Sequence, residues 1–171
     1  MVNDRRKPIV LISCIIATAI LGDALLYGLL PAHPNFFHVR IWQVGILLGV
    51  NRIVRLVTNE VAGRILHRST DNRPLVIAVI TGGLVTISYA FPFGFVWMLC
   101  GRALWGACWS ILRVKGYTTL LLHSTTHNRG KNFALYQAGI RLGQGGGVLI
   151  GGLLSDILGI SFTYVIFGLI S

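Results

Sequence analysis

The residues of this chain that could do chemistry are charged side chains stranded inside apolar runs. Arg52 and Arg55 interrupt one run, Arg102, Arg113 and Lys115 another, and Arg141 a third, with Asp23 and Glu60 as the acids among them. A guanidinium facing lipid is costly, so such groups face a polar cavity or pair with one another. The chemistry on offer is therefore electrostatic. Arginine forks match carboxylates and phosphates. An acid in a low dielectric changes charge when its partner moves, which can link proton transfer to conformation. No nucleophile and base can be assembled from the spacing, so no enzymatic activity is expected. His123 and His127 stand four apart in HSTTH with no Glu between them, and read as a solvated connection rather than a metal site. No metal or cofactor is expected.

Helical periodicity sorts these groups onto faces. At about 100° per residue, Arg52, Arg55, Asn59 and Gly63 fall within an arc of about 80°. Arg102, Gly106, Trp109, Arg113 and Gly116 form a comparable stripe, and Gln137, Arg141, Gln144 and Val148 share a third face. Polar faces on several helices are what line an aqueous cavity in a membrane protein. The candidate cavity residues are Arg52, Arg55, Arg102, Arg141 and Tyr27, with Asp23 as the candidate proton-coupling group. For Arg52, Arg55 and Arg141 two readings stand: attraction of an anionic substrate, or neutralisation by acids outside this sequence.

Depth adds a pairing. Asp23 lies about 21 Å along its run and Arg102 about 10 Å along an antiparallel one, so in a core of about 30 Å they reach similar heights. An Asp23–Arg102 pair could hold helices in register or couple protons to motion. Glu60 has Arg64 one turn on as a local partner.

The elements that must position these groups follow from composition. The chain has 171 residues, 54% hydrophobic and 12% charged, against about 25% charged in soluble domains. That is an integral membrane protein, embedded in a lipid bilayer. Spans are expected at about 9–30, 41–66, 75–90, 95–120 and 132–155, with a partial sixth at 161–171 of about 16 Å, too short to cross. The fold class is all-α: a polytopic transmembrane helix bundle forming one domain over 1–171. The first run is too long for a signal-peptide core and is read as a retained span. Pro31 and Pro34 are expected to close it.

The net charge of +10 does not point to nucleic acid, because no long basic stripe is available to follow phosphates. It follows the loops instead. Arg5, Arg6, Lys7, Arg64, Arg68, Arg73, Arg129 and Lys131 share one side if the spans alternate, and only Arg40 falls opposite. The positive-inside rule then puts the N-terminus in the cytoplasm, with the bundle in the plasma (cytoplasmic) membrane. Cys14, Cys100 and Cys108 lie within apolar runs and read as small packing residues.

Glycines carry a further signal. Gly143, Gly147 and Gly151 recur every four residues, followed by Gly152, on a face that lets another backbone approach. A nucleotide-binding loop would need a preceding strand and access to water, and these glycines sit in an apolar helix.

Three segments now resemble those of the major facilitator superfamily (MFS). GRILHRSTDNRP, between the second and third spans, is similar to that family's gating loop, with Gly63, Arg68 and Arg73 matching, His67 in place of the acid and Thr70 in place of the glycine. RALWGACW resembles its Arg-x-x-Gln-Gly motif through Arg102 and Gly106, with Trp105 where Gln is usual. GQGGGVLIGG resembles the Gly-x-x-x-Gly-Pro-x-x-Gly-Gly pattern of its antiporters through Gly143, Gly147, Gly151 and Gly152, with Val148 in place of Pro. The resemblance covers almost the whole chain. It implies the N-terminal half of a secondary transporter of a small solute, with proton-coupled efflux or organic-anion transport as the expected activity. Such transporters work with two halves around one site. The partner expected here is therefore a C-terminal half or a second chain, and the alternative is a truncated product that does not transport.

Overall fold

The computed structural model describes residues 7–68 and 71–171. The side chains of His67 and Arg68 lie outside the described residues, as do residues 69–70, and the gating-loop roles expected of His67 and Arg68 lie outside with them.

The described residues form six α-helices and no strand: α1 (Lys7–Ala32), α2 (Ile41–Arg68), α3 (Arg73–Ser88), α4 (Phe95–His123), α5 (Arg129–Leu158) and α6 (Ile160–Ile170). Backbone breakers set their ends. Gly94, at φ 92°, turns the chain into α4, and Gly159, at φ 87°, separates α5 from α6; both angles are ones that only glycine adopts freely. Pro31 does not stop α1 but sits inside its last turn, and the helix runs on to Ala32. The connection expected at 121–131 is shorter than its polarity suggested, because α4 continues to His123 and α5 starts at Arg129.

Three of these helices are long and apolar enough to cross a membrane: α1, the Ile41–Leu66 part of α2, and α4, with mean hydropathies of 2.5, 1.3 and 1.4. The expectation of five complete spans and a partial sixth is corrected to that extent. α3 has 16 residues, about 24 Å of helix against a core of about 30 Å. α5 has 30 residues, but its glycines, Gln137, Arg141 and Gln144 dilute its apolarity. The length of α5 is sufficient; its composition is that of a helix packed on others.

α1 is the centre of the bundle and packs chiefly on α5, while α2 packs chiefly on α4; α3 joins α4 and α6. The core runs from Ile12, Ile16 and Ile20 through Leu25, Leu26, Leu29 and Leu30 to Phe37, with Trp105, Trp109, Tyr136 and Tyr164 from the other helices. The α1–α5 contact depends on missing side chains. A Cβ on Gly143 would collide with the Ala17 carbonyl, and one on Gly147 with the Leu21 carbonyl. Backbones therefore meet directly, as in small-residue interfaces between membrane helices. Gly151 likewise fits against Leu25. Gly152 does not join this face: a Cβ there would meet nothing within 4 Å, because it lies one residue, about 100°, round from the contact.

Candidate functional site: a cationic cavity between α1, α2 and α5

The site starts from Asp23, which α1 carries into the bundle between Gly22 and Ala24. Small neighbours allow α3 to close over this turn: Gly22 sits against the Thr86 side chain. Asp23 is 3% exposed, and Arg102 of α4 is fully buried beside it. Arg102 Nη1 is paired with Asp23 Oδ1. The other two nitrogens of the guanidinium are also engaged: Nε donates to the Leu47 carbonyl at 3.2 Å, and Nη2 donates to Tyr27 Oη at 3.0 Å. Its Cζ lies 5.0 Å from the centre of the Tyr27 ring. On the acid's side, Asn51 Nδ2 approaches Oδ1 at 3.5 Å. A buried charge pair is tolerated when its remaining donors are satisfied, and this one ties α1, α2 and α4 together.

In front of Asp23 lies a cavity of about 240 Å³, lined by Ile20, Asp23, Ala24 and Tyr27 of α1, Arg52 and Arg55 of α2, and Gln144 and Val148 of α5. Its wall carries two guanidiniums and one carboxylate, and the carboxylate is already engaged by Arg102. The free charge of the lining is positive. Tyr27 and Gln144 add neutral hydrogen-bonding groups, so the cavity can hold a small anion and orient its polar part.

Arg55 is held differently from Arg102. Its Cζ lies 5.3 Å from the centre of the Trp109 ring and 5.7 Å from that of Trp105. The two indoles, one turn apart on α4, stack with centroids 5.4 Å apart and planes 16° from parallel. Next to this platform, Thr58 Oγ1 and Ser110 Oγ lie 2.8 Å apart across the α2–α4 interface. The Nε of Arg55 is buried and has no hydrogen-bond partner among the described residues.

The structure gathers some of the expected site residues and separates others. Asp23, Tyr27, Arg52 and Arg55 share one cavity. Arg102 stands behind the wall rather than on it, because the pair with Asp23 draws it into the core. Arg141 is exposed on α5 and is not part of the lining; Gln144 and Val148 of the same helix face are. Lys115 reaches out of its run, its Nζ donating to the Asp71 carbonyl at 3.4 Å, and Arg113 lies over the Tyr117 ring at 5.4 Å. Gly63, expected in the gating loop, lies inside α2 with open space around it. Arg73 begins α3 and pairs with Asp71, Nε to Oδ2 at 2.9 Å. Asp71 also accepts from the backbone N–H of Asn72 at 2.7 Å. An acid is therefore present in this loop, four residues after His67. Glu60 pairs with Arg64 at 2.6 Å, both well exposed.

Sequence reasoning passed over the roles of Trp105, Trp109 and Asn51. The available signal was the i,i+4 spacing of the two tryptophans beside an otherwise unpaired arginine stripe.

With this geometry in hand, the comparisons decide the family. The family model described as Major Facilitator Superfamily matches residues 12–171. The chain belongs to that superfamily. No curated protein matched it. Members of the MFS are transporters that bind small-molecule substrates within the membrane, so the chain is a membrane-embedded protein of a transporter family.

Proposed function

We propose that this MFS chain forms the substrate-binding half of a secondary transporter for a small organic anion. The observation that carries the reading is the cavity wall: Arg52 and Arg55 face a common space in which the one carboxylate, Asp23, is engaged by Arg102. A carboxylate substrate would meet the two guanidiniums, with Tyr27 and Gln144 as neutral partners. Asp23 is the proton-coupling group in this reading. It sits where a change in its charge would release Arg102 and loosen the junction of α1, α2 and α4. The N-terminus is cytoplasmic in the plasma membrane, supported by the one-sided distribution of loop arginines and lysines. The exposed faces of α2 and α5, with Arg141 among them, meet a second half, either later in the same protein or on another chain.

Binding tests the reading directly. In lipid nanodiscs the chain should bind benzoate in preference to its neutral isostere benzamide and to benzyltrimethylammonium, and Arg52→Gln and Arg55→Gln should each remove most of that preference. Binding of the cation alone, indifferent to both substitutions, would contradict it.

A further inference from the structure

The geometry points to the Trp105–Trp109 stack as a positioning element that sets the cavity's preference for anions by fixing Arg55 in place without neutralising it. The inference rests on the anion-binding reading above and extends it to two residues that cannot touch a substrate. Trp105 is 1% exposed and Trp109 4% exposed, and neither lines the cavity. Their effect on a bound molecule must pass through Arg55, which lines the cavity on one side and lies over both rings on the other.

The surroundings of Arg55, on the cavity wall, and of Arg102, behind it, differ in what they do to charge. Arg102 is matched by Asp23, so the pair presents little net charge to the cavity. Arg55 has no carboxylate within ion-pair distance among the described residues; Asp23 attracts it only at longer range. An aromatic face attracts a guanidinium through its quadrupole, orienting it while leaving the full positive charge. A carboxylate at the same position would orient Arg55 equally well but cancel the field that a substrate anion feels. The indole faces also restrict the side chain before the ligand arrives, so less freedom is lost on binding. The site at which Trp105 stands makes the point chemically: a glutamine there would offer hydrogen bonds to Arg55 but no extended face to lie on. Gly106 completes the arrangement. A Cβ on it would lie 3.1 Å from the Asn51 carbonyl oxygen, so its absence lets α2 sit close enough to α4 for Arg55 to reach the rings.

A double-mutant cycle with benzoate as the probe tests this in nanodiscs. Trp105→Leu and Trp109→Leu should each weaken benzoate binding about tenfold and leave benzamide binding unchanged. Trp105→Phe and Trp109→Phe, which keep a ring of weaker quadrupole, should lose less than the leucine variants. Combined with Arg55→Gln, Trp109→Leu should cause no further loss, because the arginine through which it acts is gone. Losses that multiply in the double variant, or benzoate and benzamide affinities that fall together, would mean that the tryptophans only support the fold and would overturn the proposal. Should the leucine variants fail to fold, the phenylalanine variants carry the cycle with the same criterion. Wild-type protein that does not discriminate benzoate from benzamide would overturn the anion reading itself. Discrimination that depends on Arg55 but survives both tryptophan substitutions would overturn this inference alone.

Discussion

Asp23→Asn should be among the most damaging single substitutions in this protein, and at pH 5 more damaging than Arg102→Gln. The asymmetry follows from what each leaves behind. Removing one partner of a buried ion pair generally costs about 3–5 kcal/mol, because an uncompensated charge remains buried. Without its asparagine-substituted partner's charge, Arg102 would still donate to the Leu47 carbonyl and Tyr27 Oη and lie on the Tyr27 ring. It cannot lose its charge, however, whereas Asp23 left without Arg102 can take up a proton and become neutral. Putting a proton on an ordinary carboxylate costs about 4 kcal/mol at pH 7 but only about 1.5 kcal/mol at pH 5. At pH 5 the aspartate substitution should therefore exceed the arginine one by about 1–2 kcal/mol. Helices dispersed in a membrane also find partners for their polar groups, which puts the Asp23→Asn loss near the low end of that range. The double variant Asp23→Asn/Arg102→Gln should recover at least half the loss of Asp23→Asn, because neither charge remains. The assay is equilibrium unfolding in mixed micelles titrated with a denaturing detergent, with helix content read by circular dichroism. An Asp23→Asn loss below about 1 kcal/mol, an Arg102→Gln loss at pH 5 that matches or exceeds it, or losses that simply add in the double variant would refute the reasoning.

Three further outcomes are expected. Gly147→Val should separate α1 from α5 and destabilise the bundle by about 1–3 kcal/mol, as overpacking does, whereas Gly152→Ala, facing open space, should be neutral or mildly stabilising in the same unfolding assay. Arg64→Ala should change stability by no more than about 0.5 kcal/mol, since its pair with Glu60 is exposed and local. In a complete transporter containing this chain, Asp23→Asn should abolish the dependence of transport on a pH gradient in proteoliposomes; unchanged coupling would remove Asp23 from that role.

Much of the helical layout was legible because apolar runs bounded by proline, glycine and basic clusters admit few alternatives. Crossing competence was less so. α5 reads as a span by length, yet its glycines and polar face serve contact with α1 and the cavity, which lowers its apolarity. The proximity of Asp23 and Arg102 was accessible from depth on two antiparallel helices. The position of Arg141 was not, because periodicity says which residues share a face but not what that face looks at. Gly151 and Gly152 show the same limit: adjacent in sequence, one is packed and the other open. Trp105 was visible as a departure from a family motif, while its stacking partner and the arginine lying over it required the relative placement of α2 and α4.

The sign of the cavity's electric field is the most direct test. With Cys14, Cys100 and Cys108 replaced by serine, a single cysteine introduced by Gln144→Cys should react faster with an anionic methanethiosulfonate than with a cationic one, by about tenfold after normalising to a free thiol. Arg52→Gln and Arg55→Gln together should abolish that preference. Faster reaction with the cationic reagent, or a preference that survives loss of both arginines, would contradict an anion-attracting site between α1, α2 and α5.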